Sequence, residues 1–240
     1  MTMHEVKLKW REEIAEGTMA LYLEKPAGFT FKPGQAIDVV LAHAPHGETN
    51  GARHAFSIVS APHQDELVIA TRMRDSAYKR EIKSMPIGSP AKIEGPFGSL
   101  TLHNNRARPA VFIAGGIGIT PFISILRQAA KEQLPQQLLL LYSNRRPEDA
   151  AFLVELQQLE QQNKNFTLVA TMTEMEKSSQ PWNGETGFIG ESMIKRVAGK
   201  LTAPIYYLVG PPAMVEAMRK TLNDAGINDD DIRSEEFYGY

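Results

Sequence analysis

Two kinds of hydrophobic periodicity divide this chain. Up to about residue 100, apolar positions recur in short alternating runs. In His4–Trp10, Val6, Leu8 and Trp10 share one side while Lys7 and Lys9 share the other, the period of a half-buried strand. Met19–Leu23, Ile37–Leu41, Ala55–Val59, Leu67–Thr71 and Ala91–Glu94 read the same way, separated by turns rich in proline and glycine. Short strands at that spacing predict an antiparallel barrel or sandwich. One amphipathic stretch, Ser76–Met85, predicts a short helix inside this half.

From Pro109 the pattern changes. Ala110–Ala114, Leu138–Tyr142, Phe166–Thr171 and Ile205–Val209 are apolar runs of buried-strand type. Helical segments Phe122–Lys131, Glu148–Gln161, Glu191–Gly199 and Ala213–Ala225 alternate with them. Phe122, Ile125, Leu126 and Ala129 fall on one helical face. Strands alternating with helices predict a parallel sheet covered on both faces. The polar segment His103–Arg108 marks the boundary, giving domains over 1–104 and 105–240. Glu174–Gly187 reads as a surface loop and Asp229–Asp231 as a solvated turn.

Composition narrows the chemistry. The 240 residues carry 26 Lys plus Arg against 28 Asp plus Glu, so no basic nucleic-acid footprint is expected. There is no cysteine, which excludes disulfides, thiolate zinc sites, a cysteine nucleophile and a Cys-ligated iron–sulfur cluster in this chain. No apolar run has the ~20 residues of a membrane-spanning helix, and Met1–Trp10 lacks a signal-peptide core. The expected location is the cytoplasm. His43 and His46 lie in a predicted loop with no third ligand at a telling spacing, so no metal site is expected.

Several turns carry candidate chemistry. Ala114-Gly115-Gly116-Ile117-Gly118-Ile119-Thr120-Pro121 follows a strand and opens a helix. Its glycines would let a diphosphate approach the backbone, and the helix N-terminus offers free N–H groups. Thr120 suits the cap of that helix and Pro121 its first position. Pro121 stands where a dinucleotide fingerprint has its third glycine, so a ligand-free tight turn is the alternative. The next strand ends at Ser143-Asn144-Arg145-Arg146, where guanidinium groups suit a ribose 2′-phosphate; a solvated helix start is the alternative. Gly210-Pro211-Pro212 is a third strand-to-helix turn. In the first half, Arg53-His54-Ala55-Phe56-Ser57 sets cationic groups beside an aromatic ring and a hydroxyl, which suits a phosphate and a flat ring; a strand start with a core Phe is the alternative, and the one the motif alone favours. Arg72-Met73-Arg74-Asp75-Ser76 precedes the short helix and suits a second anion. Three aromatics in the last four residues, Phe237, Tyr238 and Tyr240, suggest a tail packed on something flat, or else a paired terminal strand.

Taken in order, His-x-Phe-Ser, Gly-Pro-Phe-Gly, Gly-Gly-x-Gly-x-Thr-Pro, Gly-Pro-Pro and an aromatic tail resemble the ferredoxin–NADP(+) reductase superfamily over essentially the whole chain. The resemblance implies an antiparallel flavin-binding β-barrel followed by a Rossmann-like nucleotide-binding α/β domain with a five-stranded parallel sheet. It implies that Phe56 packs against the flavin and Ser57 lies near its N5, with His54 or Arg53, flanking Ala55, facing phosphate or ribitol. His54 stands where the family commonly has arginine. Arg74, Asp75, Ser76 and Ala77 match the pyrophosphate-binding helix start, which looks more like FAD than FMN. Gly116, Gly118 and Thr120 would cradle the nicotinamide nucleotide, and Ser143, Arg145 and Arg146 would read its adenosine ribose, leaning towards NADPH over NADH. Gly210 and Pro211 follow Val209, where the family usually has cysteine. Glu235 matches the C-terminal carboxylate and Phe237 its aromatic, while Tyr238 and Tyr240 extend beyond and would cover the ring as a gate.

The implied activity is a flavin-dependent oxidoreductase that passes hydride from NAD(P)H to FAD, with Ser57 and Glu235 assisting protonation. Without cysteine, the electron acceptor is expected on a separate molecule: ferredoxin, flavodoxin or a membrane redox partner. Reduction of free flavin or a ferric chelate is an alternative, and so is a flavin- or nucleotide-binding regulatory subunit without turnover.

Overall fold

A computed structural model describes residues 2–41 and 53–238. His43, His46 and Tyr240 lie outside them. The chain divides into two compact units, Met1–Thr101 with Thr120–Gln128, and Leu102–Ile119 with Ala129–Tyr240.

In the first unit, β1 (Thr2–Ala15), β2 (Thr18–Glu24), β3 (Ala36–Leu41), β4 (Arg53–Ser57), β5 (Glu66–Arg72) and β6 (Pro90–Phe97) form an antiparallel sheet in the order β4-β3-β6-β1-β2-β5. The chain leaving β4 turns back onto β5, where the Val59 N–H donates to the Val68 carbonyl at 2.7 Å. First and last strands thereby meet, which removes the open edges a flat sheet would leave. Val6, Leu8, Ile37, Val39, Ile69 and Ile93 line the interior together with Tyr78 and Ile82 of α1 (Ala77–Ser84). Trp10 departs from the expected alternation. The β1–β2 register shifts between Leu8 and Trp10, and such a bulge moves the following side chain to the other face. Trp10 is therefore outside, stacked on Tyr22 with ring centroids 3.5 Å apart.

In the second unit, β7 (Ala110–Gly115), β8 (Leu138–Asn144), β9 (Phe166–Met172), β10 (Glu185–Thr186), β11 (Ile205–Gly210) and β12 (Ile232–Glu236) form an all-parallel sheet in the order β10-β9-β8-β7-β11-β12. The two-residue β10 makes it six-stranded rather than five-stranded. Val111, Ile113, Leu139, Leu141 and Leu208 face α4 (Glu191–Ala198) and α5 (Pro212–Asp224). Alternate residues such as Leu140 and Tyr142 point to the other side, where the Tyr142 hydroxyl donates to the Ala151 carbonyl at 3.1 Å. Residues buried on both faces make these strands read as unbroken apolar runs.

Two helix starts differ from expectation. A 3₁₀ turn, Gly116–Ile119, runs straight into α2 (Thr120–Glu132), so Thr120 is the first helical residue and its side chain does not cap; Ile119 holds the cap position without a side-chain bond. The helix expected from Glu148 begins later, as α3 (Leu153–Gln162). Pro147–Asp149 forms a separate 3₁₀ turn, and Phe152 takes a left-handed conformation (φ 61°) before the helix can start.

Candidate functional site

In the first unit the candidate residues gather on β4 and the start of α1. Alternation along β4 sends Arg53 and His54 to opposite faces. The Arg53 guanidinium is held by Asp38 of β3 at 3.0 Å and by Glu94 of β6 at 2.5 Å. The His54 ring lies against Tyr78, centroids 4.0 Å apart, and Phe56 lies 6.1 Å from the same ring. The Tyr78 hydroxyl is anchored to the Val39 carbonyl at 3.0 Å. Phe56 and Ser57 are buried, while Ala55 is exposed. Ser76 caps α1 by accepting from the Lys79 N–H at 3.2 Å. Arg74 and Asp75 are exposed just ahead of it, Asp75 paired with Arg80, and Ala77 opens the helix half-buried. Lys79 is only 9% exposed. Burial, then the neighbouring charge of Arg74, pushes its ammonium pKa down. Two cations at a helix start are an arrangement that an anion relieves.

In the second unit the candidates lie at the carboxyl ends of adjacent parallel strands. β7 ends in the glycine turn, β8 in Ser143-Asn144-Arg145-Arg146 and β11 in Gly210-Pro211. Gly116 has φ +53° with open space where a Cβ would stand. Gly118 is required for another reason: a Cβ there would lie 2.7 Å from the Val209 carbonyl carbon and 2.9 Å from the Gly210 nitrogen. Arg145 and Arg146 share one buried carboxylate. Asp149, 2% exposed, accepts from Arg145 at 3.0 Å and from the Arg146 Nε at 2.9 Å. At the far edge, β12 pairs Glu235 with Val209, and the Phe237 N–H donates to the Gly210 carbonyl at 2.9 Å. The terminus is thus a paired strand as far as Phe237, with Tyr238 exposed and bonded to Glu236. Burial pushes the Glu235 carboxyl pKa up.

A family model described as "Oxidoreductase NAD-binding domain" matches residues 112–220. The reductase component of propane 2-monooxygenase from Rhodococcus jostii is 29% identical over 217 residues, 89% of this chain and 57% of that protein. By these matches the chain is similar to members of the ferredoxin–NADP(+) reductase superfamily. NADH-cytochrome b5 reductase 1 of Aspergillus oryzae is 30% identical over 203 residues, covering 80% of this chain and 64% of its own length. The chain thus spans about three-fifths of the length of these relatives. A ferredoxin–NADP+ reductase from Neisseria gonorrhoeae, solved with FAD and NADP bound, shares the fold at a TM-score of 0.79 and 24% identity, covering 98% of both chains.

Tyr78, Lys79 and Asp149 escaped the sequence reading. Tyr78 and Lys79 looked like ordinary positions of an amphipathic helix. Asp149 had a signal, its spacing of three and four residues from Arg146 and Arg145, but that spacing equally fits a solvated helix start.

Proposed function

We propose that this chain is a flavoprotein reductase that takes reducing equivalents from NAD(P)H on FAD and hands electrons to a separate acceptor of the ferredoxin type. The observation that carries this reading is the set of turns at the carboxyl ends of β7, β8 and β11, where a doubly wound sheet receives nucleotides. FAD and NAD(P)H supply the redox chemistry when bound, a hydride passing from nicotinamide to flavin.

The residues present fit both groups. Arg74, Lys79 and the N–H groups at Ser76 and Ala77 would hold the FAD diphosphate, Asp75 being turned to Arg80. Because Arg53 is already committed to two carboxylates, His54 takes the phosphate or ribitol role in this reading. Phe56 would line the flavin ring and Ser57 would donate to its N5 edge. Gly116, Gly118 and Thr120 shape the turn for the nicotinamide nucleotide. Ser143, Arg145 and Arg146 would meet its adenosine ribose, and Gly210 and Pro211 its nicotinamide end. A carboxyl with a raised pKa holds its proton closer to neutrality, which suits Glu235 to proton delivery. Phe237 and Tyr238 would shield the nicotinamide end from water.

Anaerobic titration of the purified protein, followed by visible absorption, tests this. A yellow protein bleached near stoichiometry by a nicotinamide nucleotide is expected. Lys79→Gln should weaken FAD binding about tenfold, ~1.4 kcal/mol, measured by flavin fluorescence. A protein that takes up no FAD, or whose bound flavin stays oxidised with either nucleotide, would sink the proposal.

A further inference from the structure

The two loops at the carboxyl ends of β8 and β9 form one preassembled fork. The Thr173 N–H donates to the Asn144 carbonyl at 2.9 Å, and the Glu174 N–H donates to the Arg145 carbonyl at 2.8 Å. Glu148 ties the outer end down. It accepts from the Ser179 N–H at 2.7 Å and from the Ser178 and Ser179 hydroxyls at 2.9 Å each. A hydrogen bond from its own backbone N–H, seconded by these bonds from Ser179 and Ser178, favours the ionised form and holds the carboxyl pKa down at about 2.

The cations of this fork are paired within it, and carboxylates outnumber them by one. The Arg145 side chain is 54% exposed, but one guanidinium nitrogen is held by buried Asp149, which also grips Arg146. The remaining cation of the loop, Lys177, is bonded to Glu174 at 2.8 Å. Glu148, Asp149, Glu174 and Glu176 thus stand against Arg145, Arg146 and Lys177. A phosphate monoester carrying about two negative charges would have to compete with carboxylates already in place. A ribose diol brings two O–H donors, and an ionised carboxylate accepts them.

We propose that this fork selects a dinucleotide with a free ribose 2′-hydroxyl, NADH over NADPH. Glu174 is the acceptor for the diol, and Asp149 is a positioning residue that withholds Arg145 and Arg146 from a 2′-phosphate. The inference rests on the nucleotide-binding reading above and names the substrate of that site, against the leaning towards NADPH that the bare arginines suggested.

Calorimetry with ADP-ribose and ADP-ribose 2′-phosphate tests it without turnover. The wild type should bind ADP-ribose at least about tenfold more tightly, ~1.4 kcal/mol. Glu174→Gln, a change at a half-buried side chain, should shrink that ratio several-fold, and Asp149→Asn should do the same if it folds. In steady state Glu174→Gln should raise the KM for NADH, and Asp149→Asn should lower the KM for NADPH. Tighter binding of the 2′-phosphate by the wild type, or an unchanged ratio in Glu174→Gln, would overturn the selectivity. Equal binding of both probes overturns it alone, whereas binding of neither removes the nucleotide-binding reading beneath it.

Discussion

Gly116 and Gly118 are two residues apart in one turn, yet they answer to different constraints. At Gly116 the backbone is left-handed and nothing crowds a Cβ, so the cost of a side chain is conformational. At Gly118 the obstacle is the Val209 carbonyl of the neighbouring strand, which is backbone and cannot swing aside. Gly118→Ala should therefore destabilise the protein by about 1–3 kcal/mol, as overpacking does, read as a lower urea midpoint. An unchanged midpoint would mean that β11 yields easily. The glycine spacing was legible in the sequence as a close-approach turn. That one approach is made by β11 was not, because Val209 lies 91 positions away along the chain.

Among the elements, α1 shows how much a short helix depends on its first turn. It has eight residues, below the length at which an isolated helix holds in water. Burial of Tyr78 and Ile82 and the Ser76 cap fix it. Ser76→Ala should cost about 1 kcal/mol in chemical denaturation, and it should also weaken FAD binding by disordering the N–H groups beside Lys79. Loss of stability without any change in FAD affinity would separate the cap from the proposed diphosphate site. This helix was visible as an amphipathic stretch, and its cap lay at the expected residue. The late start of α3 was not visible. Pro147-Glu148-Asp149 reads as an acidic first turn, but Asp149 is drawn into the arginine pair and the Ala151 carbonyl accepts from Tyr142, so the helix waits until Leu153. Trp10 follows the same logic in a strand, since one bulge reversed an alternation that was otherwise sound.

Within the second unit, distant segments meet in a buried polar network. The His103 N–H donates to the Tyr207 hydroxyl at 2.9 Å, and His103 Nδ1 lies 2.8 Å from the same oxygen. His103 Nε2 lies 3.0 Å from the Arg108 carbonyl and 2.8 Å from the Gln136 amide nitrogen. The Arg233 guanidinium sits over the Tyr207 ring at 5.4 Å. Burial, seconded by the charges of Arg233, Arg108 and Arg106, pushes the His103 pKa below its ordinary value of 6.5. The unfolded chain then binds more protons than the fold as pH drops. Stability from this group is full above about pH 6.5 and lost as pH falls through the depressed folded value. Melting temperature measured from about pH 7.5 to about pH 5.5 should fall more steeply for the wild type than for His103→Gln. Parallel slopes would show that His103 does not report on folding.

At the scale of the whole chain, the sequence alone determined what depends on local spacing. Period-two runs before residue 100 and strand–helix alternation after Pro109 dictate an antiparallel unit and a parallel one. The order of the turn motifs carried the resemblance to known reductases. Tertiary structure alone decided what depends on residues far apart in sequence meeting in space. It set Tyr78 against His54 and Phe56, committed Arg53 to Asp38 and Glu94, and matched the β8 loop with the loop after β9. Side-chain charge is written in the sequence, but whether that charge is available to a ligand depends on which partner the fold has already placed beside it.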